Sequence, residues 1–176
     1  QASKSSQQGQ VAKFAASGKK TAKKNLALLA MAYKDVYVAQ ISLGGNMMAV
    51  IKAMKEAESY HNGPSIVIAY CPCIEHGMKG GLVNTNRAEK EAANCGYFPI
   101  FRYDPRLPKP LTLDTKTPDF NKYLDFVLSQ NRYAQLSKVN PDEAERLLNN
   151  SKNDAINRYN DIIRFGTPTE ENEEDN

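Results

Sequence analysis

Ser65 to Gly77 reads SIVIAYCPCIEHG. A short β-branched apolar run stops at Cys71-Pro72-Cys73 and gives way to Ile74-Glu75-His76-Gly77, the pattern of a buried strand that delivers soft ligands at its carboxyl end. Strand ends of that kind are where sites form in parallel sheets. Two cysteines one residue apart can face one metal or cluster. Pro72 fixes φ and removes a backbone donor, however, so the two side chains need not point the same way. The same spacing also suits two small buried hydrophobes, since free Cys is among the most buried residue types.

Working outward from that stretch, Val36 to Ser42 (VYVAQIS) is a second strand, and Leu43-Gly44-Gly45 is a turn. Asn46 then caps a helix that carries Met47, Val50, Ile51, Met54 and Ala57 on one face and Lys52, Lys55, Glu56 and Glu58 largely on the other. His61-Asn62-Gly63-Pro64 ends it. Leu26, Leu29, Ala30 and Tyr33 give a shorter helix within Asn25–Tyr33 its apolar face, and Val11 to Ser17 reads as a helical turn. Gln1 to Gln10 is polar and aperiodic, like the middle of a loop. On the other side, Gly80 and Gly81 mark a mobile loop. Asn86 with Glu89 makes a capping pair for a helix through Ala88, Ala92 and Cys95, closed by Gly96. Tyr97 to Tyr103 (YFPIFRY) is a third strand, placed at an edge or a strand start by Pro99.

Two α-β steps in tandem imply right-handed crossovers, hence an α/β fold with a parallel sheet and helices on its faces. Three strands are fewer than the about five or six of an average sheet, so further strands are expected before Gln1. After Asp104, Pro105, Pro108 and Pro110 form an extended connection, with a short strand at Leu111–Leu113. Phe120, Leu124, Val127 and Leu128 mark a helix. Asn140-Pro141-Asp142-Glu143 starts another, whose stripe of Ala144, Leu148, Ala155, Tyr159 and Ile162 runs to about Gly166. The expected organisation is residues 1–104 as the α/β portion, 105–165 as the connection and helical arm, and 166–176 as an acidic, disordered tail. The arm's face, about seven turns long, is more than three strands can cover, so part of it is expected on another domain or subunit.

The net charge of +3 hides a polarity: seven lysines and no acid up to Lys34, and five acids with no base after Arg164. No aromatic residues are interleaved with the lysines for base stacking, so they read as a solvated face and not as a nucleic-acid surface. No signal peptide and no run of about 18 apolar residues is present, so the chain is expected in the cytoplasm, or in a hydrogenosome-like organelle if the source is eukaryotic. Three cysteines argue for reduced thiols or ligation, and they cannot close an all-cysteine four-iron cluster, which needs four thiolates.

A glycine-rich phosphate fingerprint is missing at the strand-to-helix turns. A Cys73–His76 nucleophilic pair would need a turn that returns the ring, and zinc on Cys71, Cys73 and His76 would lack a second ligand cluster.

The succession QASKS, VAKFAASGKKTAKKNLA, VYVAQISLG, EAESYHNGPSIVIAYCPCIEHG and CGYFPIFRYDPRL resembles the carboxyl-terminal part of pyruvate:ferredoxin (flavodoxin) oxidoreductase. It matches that family's last thiamine-diphosphate-binding domain, across nearly the whole chain. The resemblance implies a three-layer thiamine-diphosphate-binding fold, represented by its carboxyl-terminal portion only. It implies an enzyme that oxidatively decarboxylates pyruvate to acetyl-CoA and CO2 with coenzyme A, and passes electrons through 4Fe-4S clusters to ferredoxin or flavodoxin. The implied assembly is a homodimer, with the rest of the same enzyme as partner and with neither nucleic acid nor membrane. The alternatives are a related 2-oxoacid oxidoreductase for another oxoacid, and a non-catalytic partner-binding fragment. Cys73 is implied as the fourth ligand of the cluster nearest the thiamine, since alanine is common in the family at the place of Cys71. The magnesium and diphosphate ligands, the activating glutamate and the substrate arginine fall outside these residues. No catalytic residue and no thiamine contact is therefore assigned within them, and the isolated chain is expected to be inactive.

Overall fold

β-Branched and aromatic side chains dominate Tyr37–Ile41 and Ser65–Ala69, and these runs form strands β1 and β2, paired parallel from Tyr37↔Ser65 to Ile41↔Ala69. The computed structural model describes residues 3–13, 15–115 and 117–167; the expected acidic tail lies almost entirely outside them. Between the strands runs helix α2 (Met47–Glu58). Its cap is the expected one: the Asn46 side chain accepts from Ala49 N–H at 3.1 Å and satisfies a first-turn donor.

The sheet is mixed and not parallel throughout. β3 (Phe101–Tyr103) lies antiparallel to β1, and β4 (Leu111–Leu113) antiparallel to β3, in the order β2-β1-β3-β4. The cause is the crossover. Helix α3 (Thr85–Asn94) does not lie along the strands; it sits at the sheet end with Ala93 packed on Ala49 and Ile100, so the chain re-enters from the end at which it left β2. β3 is thus an inner strand, with Pro99 just before it. β2, expected to be buried, is an edge strand with exposed ends.

Helix α1 (Leu26–Met31) covers one sheet face: Ala27, Ala30 and Met31 pack with Val38, Phe101, Tyr103 and Ile162. α2 covers the other, its Ala53 set among Tyr37, Ala39, Ile41 and Tyr60. Alanines make much of both contacts, joined by Met31 from α1 and by the partly buried Val50 and Ala57 from α2. The larger members of the two apolar stripes point outward: Leu26, Leu29 and Tyr33 are 47%, 53% and 76% exposed, and Met47, Ile51 and Met54 lie between 43% and 55%, while Ala30, Val50 and Ala57 of the same stripes pack inward.

The carboxyl-terminal helices behave in the opposite way. α4 (Tyr123–Leu128), α5 (Asn131–Val139), which the sequence reading left unassigned, and α6 (Pro141–Gly166) pack on one another and on α1. Asn140 caps α6 by accepting from Glu143 N–H at 3.2 Å, with Pro141 in the first turn. Ala144, Leu147, Leu148, Ser151, Ala155, Tyr159 and Ile162 are all buried within this chain. The arm needs no partner for that stripe, contrary to the expectation. Tyr70, Tyr97, Phe98, Tyr123 and Phe126 form the aromatic centre, and Tyr123 Oη and Ser151 Oγ share a hydrogen bond of 2.8 Å.

Two polar groups lock the sheet to its surroundings. Arg102 on β3 donates from Nε and Nη2 to the two Asp114 oxygens at 2.8 and 3.0 Å, and from Nη1 to Glu56 of α2. Glu89, read from sequence as half of a capping pair, is buried and accepts from Gly44 N–H at 2.6 Å and from Ser42 Oγ at 3.2 Å. It fastens the β1–α2 turn to α3. The turn needs glycine there, because a Cβ on Gly44 would lie 2.3 Å from Asn86 O. Where a helical turn was expected within 11–17, Ala12 and Ala15 instead form an antiparallel bridge.

Candidate functional site

The end of β2 presents the two cysteines in different settings. Tyr70 N–H donates to Ile41 O at 3.0 Å and carries the parallel pairing one residue further. Pro72 is buried while Cys71 and Cys73 are exposed, so the proline acts as the anchor that throws the thiols on either side of it outward. The Cys71 thiol donates to Pro72 O at 3.7 Å and borders a cavity. Cys73 opens a 3-10 turn, Ile74–His76, in extended backbone geometry; its carbonyl accepts from His76 N–H at 2.9 Å, and its thiol has no partner among the described residues.

That turn is pinned from behind. Gly77 closes it with φ +65, and its carbonyl accepts from Asn131 N–H at 3.0 Å, which ties the loop to the joint of α4 and α5. A side chain at position 77 would meet Asn131 Cβ at 2.7 Å, so the position requires glycine twice over. Met78 bridges Gln130 beyond it. Exposed Cys73 therefore stands on fixed backbone, the condition a ligand needs if the group it holds is not to wander. Glu75 is exposed. His76 is half-buried; its Nδ1 has no partner among the described residues, and burial, with Arg132 nearby, holds its imidazole below the usual range. Cys95 follows α3, is buried, and donates to Ala92 O at 3.6 Å; burial pushes its thiol up to about 12. It stays protonated at neutral pH and sits in the core with Ala92, Tyr97 and Phe98.

Curated relatives match along most of this sequence. It is 44% identical over 159 residues to a pyruvate:ferredoxin oxidoreductase of Moorella thermoacetica, covering 88% of this chain and 13% of that protein. It is 41% identical over 163 residues to a pyruvate-flavodoxin oxidoreductase of Klebsiella pneumoniae, covering 90% and 14%. The chain belongs to the pyruvate:ferredoxin (flavodoxin) oxidoreductase family. It spans about an eighth of the length of these relatives. A third relative, 45% identical over 171 residues, is named for a different acceptor: pyruvate dehydrogenase [NADP(+)], mitochondrial, of Euglena gracilis, of which the match covers 9%. No family model matches the chain.

Within this oxidoreductase segment, no three His, Cys, Asp or Glu side chains converge among the described residues. A cluster held by Cys73 would take its other ligands from outside them. No helix among the described residues is long and apolar enough to cross a membrane.

Lys4, Lys13, Lys20, Lys24 and Lys34 lie on the solvated face expected of the amino-terminal lysines, Lys23 is half-buried, and Lys19 departs from that face altogether. Lys19 is 4% exposed, and its ammonium donates to the carbonyls of Ser6, Lys4 and Ala22, so it serves as an internal clamp for the first loop. Burial lowers its pKa. Gln7, Gln8 and Gln10 are buried too, although the stretch reads as an open polar loop. Sequence carried one signal for a second polar centre. Arg158 interrupts the apolar spacing of Ser151, Ala155 and Ile162 on α6, and a cation on a buried stripe needs an anion or water to face.

Proposed function

We propose that these 176 residues are the carboxyl-terminal portion of an enzyme that oxidatively decarboxylates pyruvate to acetyl-CoA and CO2 and reduces ferredoxin or flavodoxin. Cys73 would supply the fourth thiolate of its thiamine-proximal 4Fe-4S cluster, with three further cysteines from elsewhere in the same enzyme. The observation that carries this reading is the setting of Cys73, an exposed thiol on pinned backbone, in a chain 37% to 45% identical to oxidoreductases named for pyruvate.

The donor set fits one corner of a cluster and no more. Cys73 is free, accessible and soft, whereas the Cys71 thiol, on the other side of a buried proline, is turned onto Pro72 O. Bound there, a 4Fe-4S cluster would supply one-electron transfer. The chain's own part is to hold that thiolate still: the Gly77–Asn131 tie fixes the loop, and Pro72 seats it against the protein. Thiamine diphosphate and magnesium are cofactors of the proposed enzyme, and no side chain here is assigned to either. The enzyme is proposed to work in the cytoplasm as a homodimer.

The test is turnover of the intact protein: pyruvate- and coenzyme-A-dependent reduction of ferredoxin or flavodoxin, with CO2 released. Activity with pyruvate well above that with larger 2-oxoacids supports the reading; preference for another oxoacid, or no oxoacid-dependent reduction by an intact protein loaded with its cofactors, overturns it.

A further inference from the structure

Cys71 is the exposed thiol that the proposed cluster site leaves unused. Its Sγ lies 3.7 Å from Pro72 O. That carbonyl belongs to the peptide unit joining Pro72 to Cys73, so the sulfur is folded forward along the chain, toward its neighbour. The Cys73 thiol has no partner among the described residues and is free to turn back. Both flanks of the pair are held: Tyr70 N–H donates to Ile41 O at 3.0 Å before it, and Cys73 O accepts from His76 N–H at 2.9 Å within the turn that follows. Two residues of chain reach about 7 Å between Cα atoms at full extension, and Pro72, with φ fixed near about −65°, shortens that span. A disulfide bridges about 4.4 to 6.8 Å, so the pair lies within reach of one.

We propose that Cys71 is the resolving partner of Cys73: when Cys73 does not hold iron, a small-molecule disulfide such as oxidised glutathione converts the two thiols into a reversible Cys71–Cys73 disulfide. One protein thiolate attacks the reagent's S–S bond and releases one glutathione. The other thiolate then attacks the protein sulfur of that mixed disulfide and releases the second, so two protein thiols are oxidised, one S–S bond is reduced, and the two protons leave on two glutathione thiols. The reagent has a way in, since Cys71 borders a cavity of about 360 Å³ whose wall includes Lys23, Tyr70, Arg132 and Arg158 and no Asp or Glu, a charge balance that draws an anionic disulfide. Cys95 takes no part, being buried with its thiol donating to Ala92 O. A ring closed over one intervening residue is strained, and a strained, exposed disulfide is a labile one. The device rests on the reading of Cys73 as cluster ligand: it keeps that sulfur off the irreversible steps of oxidation while the iron is gone, and it holds off rebuilding of the cluster until a reductant opens it.

Intact protein is treated anaerobically with oxidised glutathione, with its clusters in place and after removal of iron by a chelator, then alkylated and digested with trypsin. The peptide 56–79 carries Cys71 and Cys73 and not Cys95, so its mass reads the pair alone. From the iron-free protein it should be two hydrogens lighter and closed to alkylation, and dithiothreitol should reopen both thiols. In Cys71→Ser, which lacks the second thiol, the same peptide should keep glutathione on Cys73. With the clusters in place the pair should stay reduced. Two alkylatable thiols in the iron-free protein, a lasting glutathione adduct on the unchanged sequence, or a bridge from either cysteine to another segment overturns the proposal and leaves the ligand assignment standing. Equally fast closure with every cluster signal retained shows that Cys73 holds no iron, and overturns the ligand assignment together with the device built on it.

Discussion

Helices α2 and α6 are both amphipathic, yet they resolve their apolar stripes in opposite ways. α6 buries Leu147, Leu148, Ala155 and Ile162 inside this chain, whereas α2 turns Met47, Ile51 and Met54 to the outside and faces the sheet with Ala49 and Ala53. Beside α2 lies β2, a strand with no partner on its outer edge among the described residues. Exposed apolar stripes and an unpaired strand edge in one place are features that monomeric domains avoid. The difference teaches that the chain is finished on its α6 side and open on its α2 side.

The largest effect expected of that contrast is in the closed half. Leu147→Ala should destabilise the chain by about 3 kcal/mol in a denaturant titration, since the side chain is fully buried and its removal leaves a cavity. An effect under about 1 kcal/mol would mean that α6 is not packed as described.

The inner side of α2 should come next. Arg102→Ala breaks the bidentate contact to Asp114 and the link to Glu56, and should cost about 2 kcal/mol, below the range for a fully buried pair because these groups are about a tenth to a third exposed. Arg102→Lys should recover only part, for lack of the fork. Full recovery by lysine would show that charge and not geometry matters there.

A smaller and pH-dependent effect is expected of Lys23. Its pKa is about 8 in the folded chain against 10.5 unfolded, so between those values the unfolded chain binds more protons and stability rises with pH. Below pH 8 the cost of the buried charge is fully present. Lys23→Met should therefore raise the melting temperature at pH 7 in phosphate-free buffer, and the gain should shrink as pH rises from 8 to 10.5. A gain that is flat with pH would assign it to packing. The smallest effect belongs to the open face: Met54→Ser should shift the stability of the isolated chain by less than about 0.5 kcal/mol, while reducing self-association measured by sedimentation. A large loss of stability would place Met54 in a core.

Much of this was legible in the sequence, and what failed did so for a physical reason. The two caps at Asn46 and Asn140, the strands on either side of α2 and the Gly96 stop are local chemistry, and local chemistry is written in adjacent residues. Apolar periodicity correctly found the helices α1 and α2, but only Ala30, Val50 and Ala57 of the two stripes meet this chain's core, because periodicity cannot tell whether a stripe is covered by this chain or by another. The antiparallel entry of β3 depends on where α3 comes to rest, which spacing does not encode. The cavity unites Lys23, Tyr70 and Arg158, far apart in the chain; only the cation on the α6 stripe hinted at it. For the candidate ligand, the strand end and the cysteines were visible at once. The buried Pro72 and the Gly77–Asn131 tie that set Cys73 apart were not.

The most direct measurement is low-temperature paramagnetic resonance of the reduced intact protein carrying single cysteine changes. Cys73→Ala should abolish one 4Fe-4S signal, because a cluster deprived of its fourth thiolate becomes labile. Cys71→Ala and Cys95→Ala should leave every signal in place. Loss of the signal in Cys71→Ala with its survival in Cys73→Ala, or survival in both, would contradict the assignment.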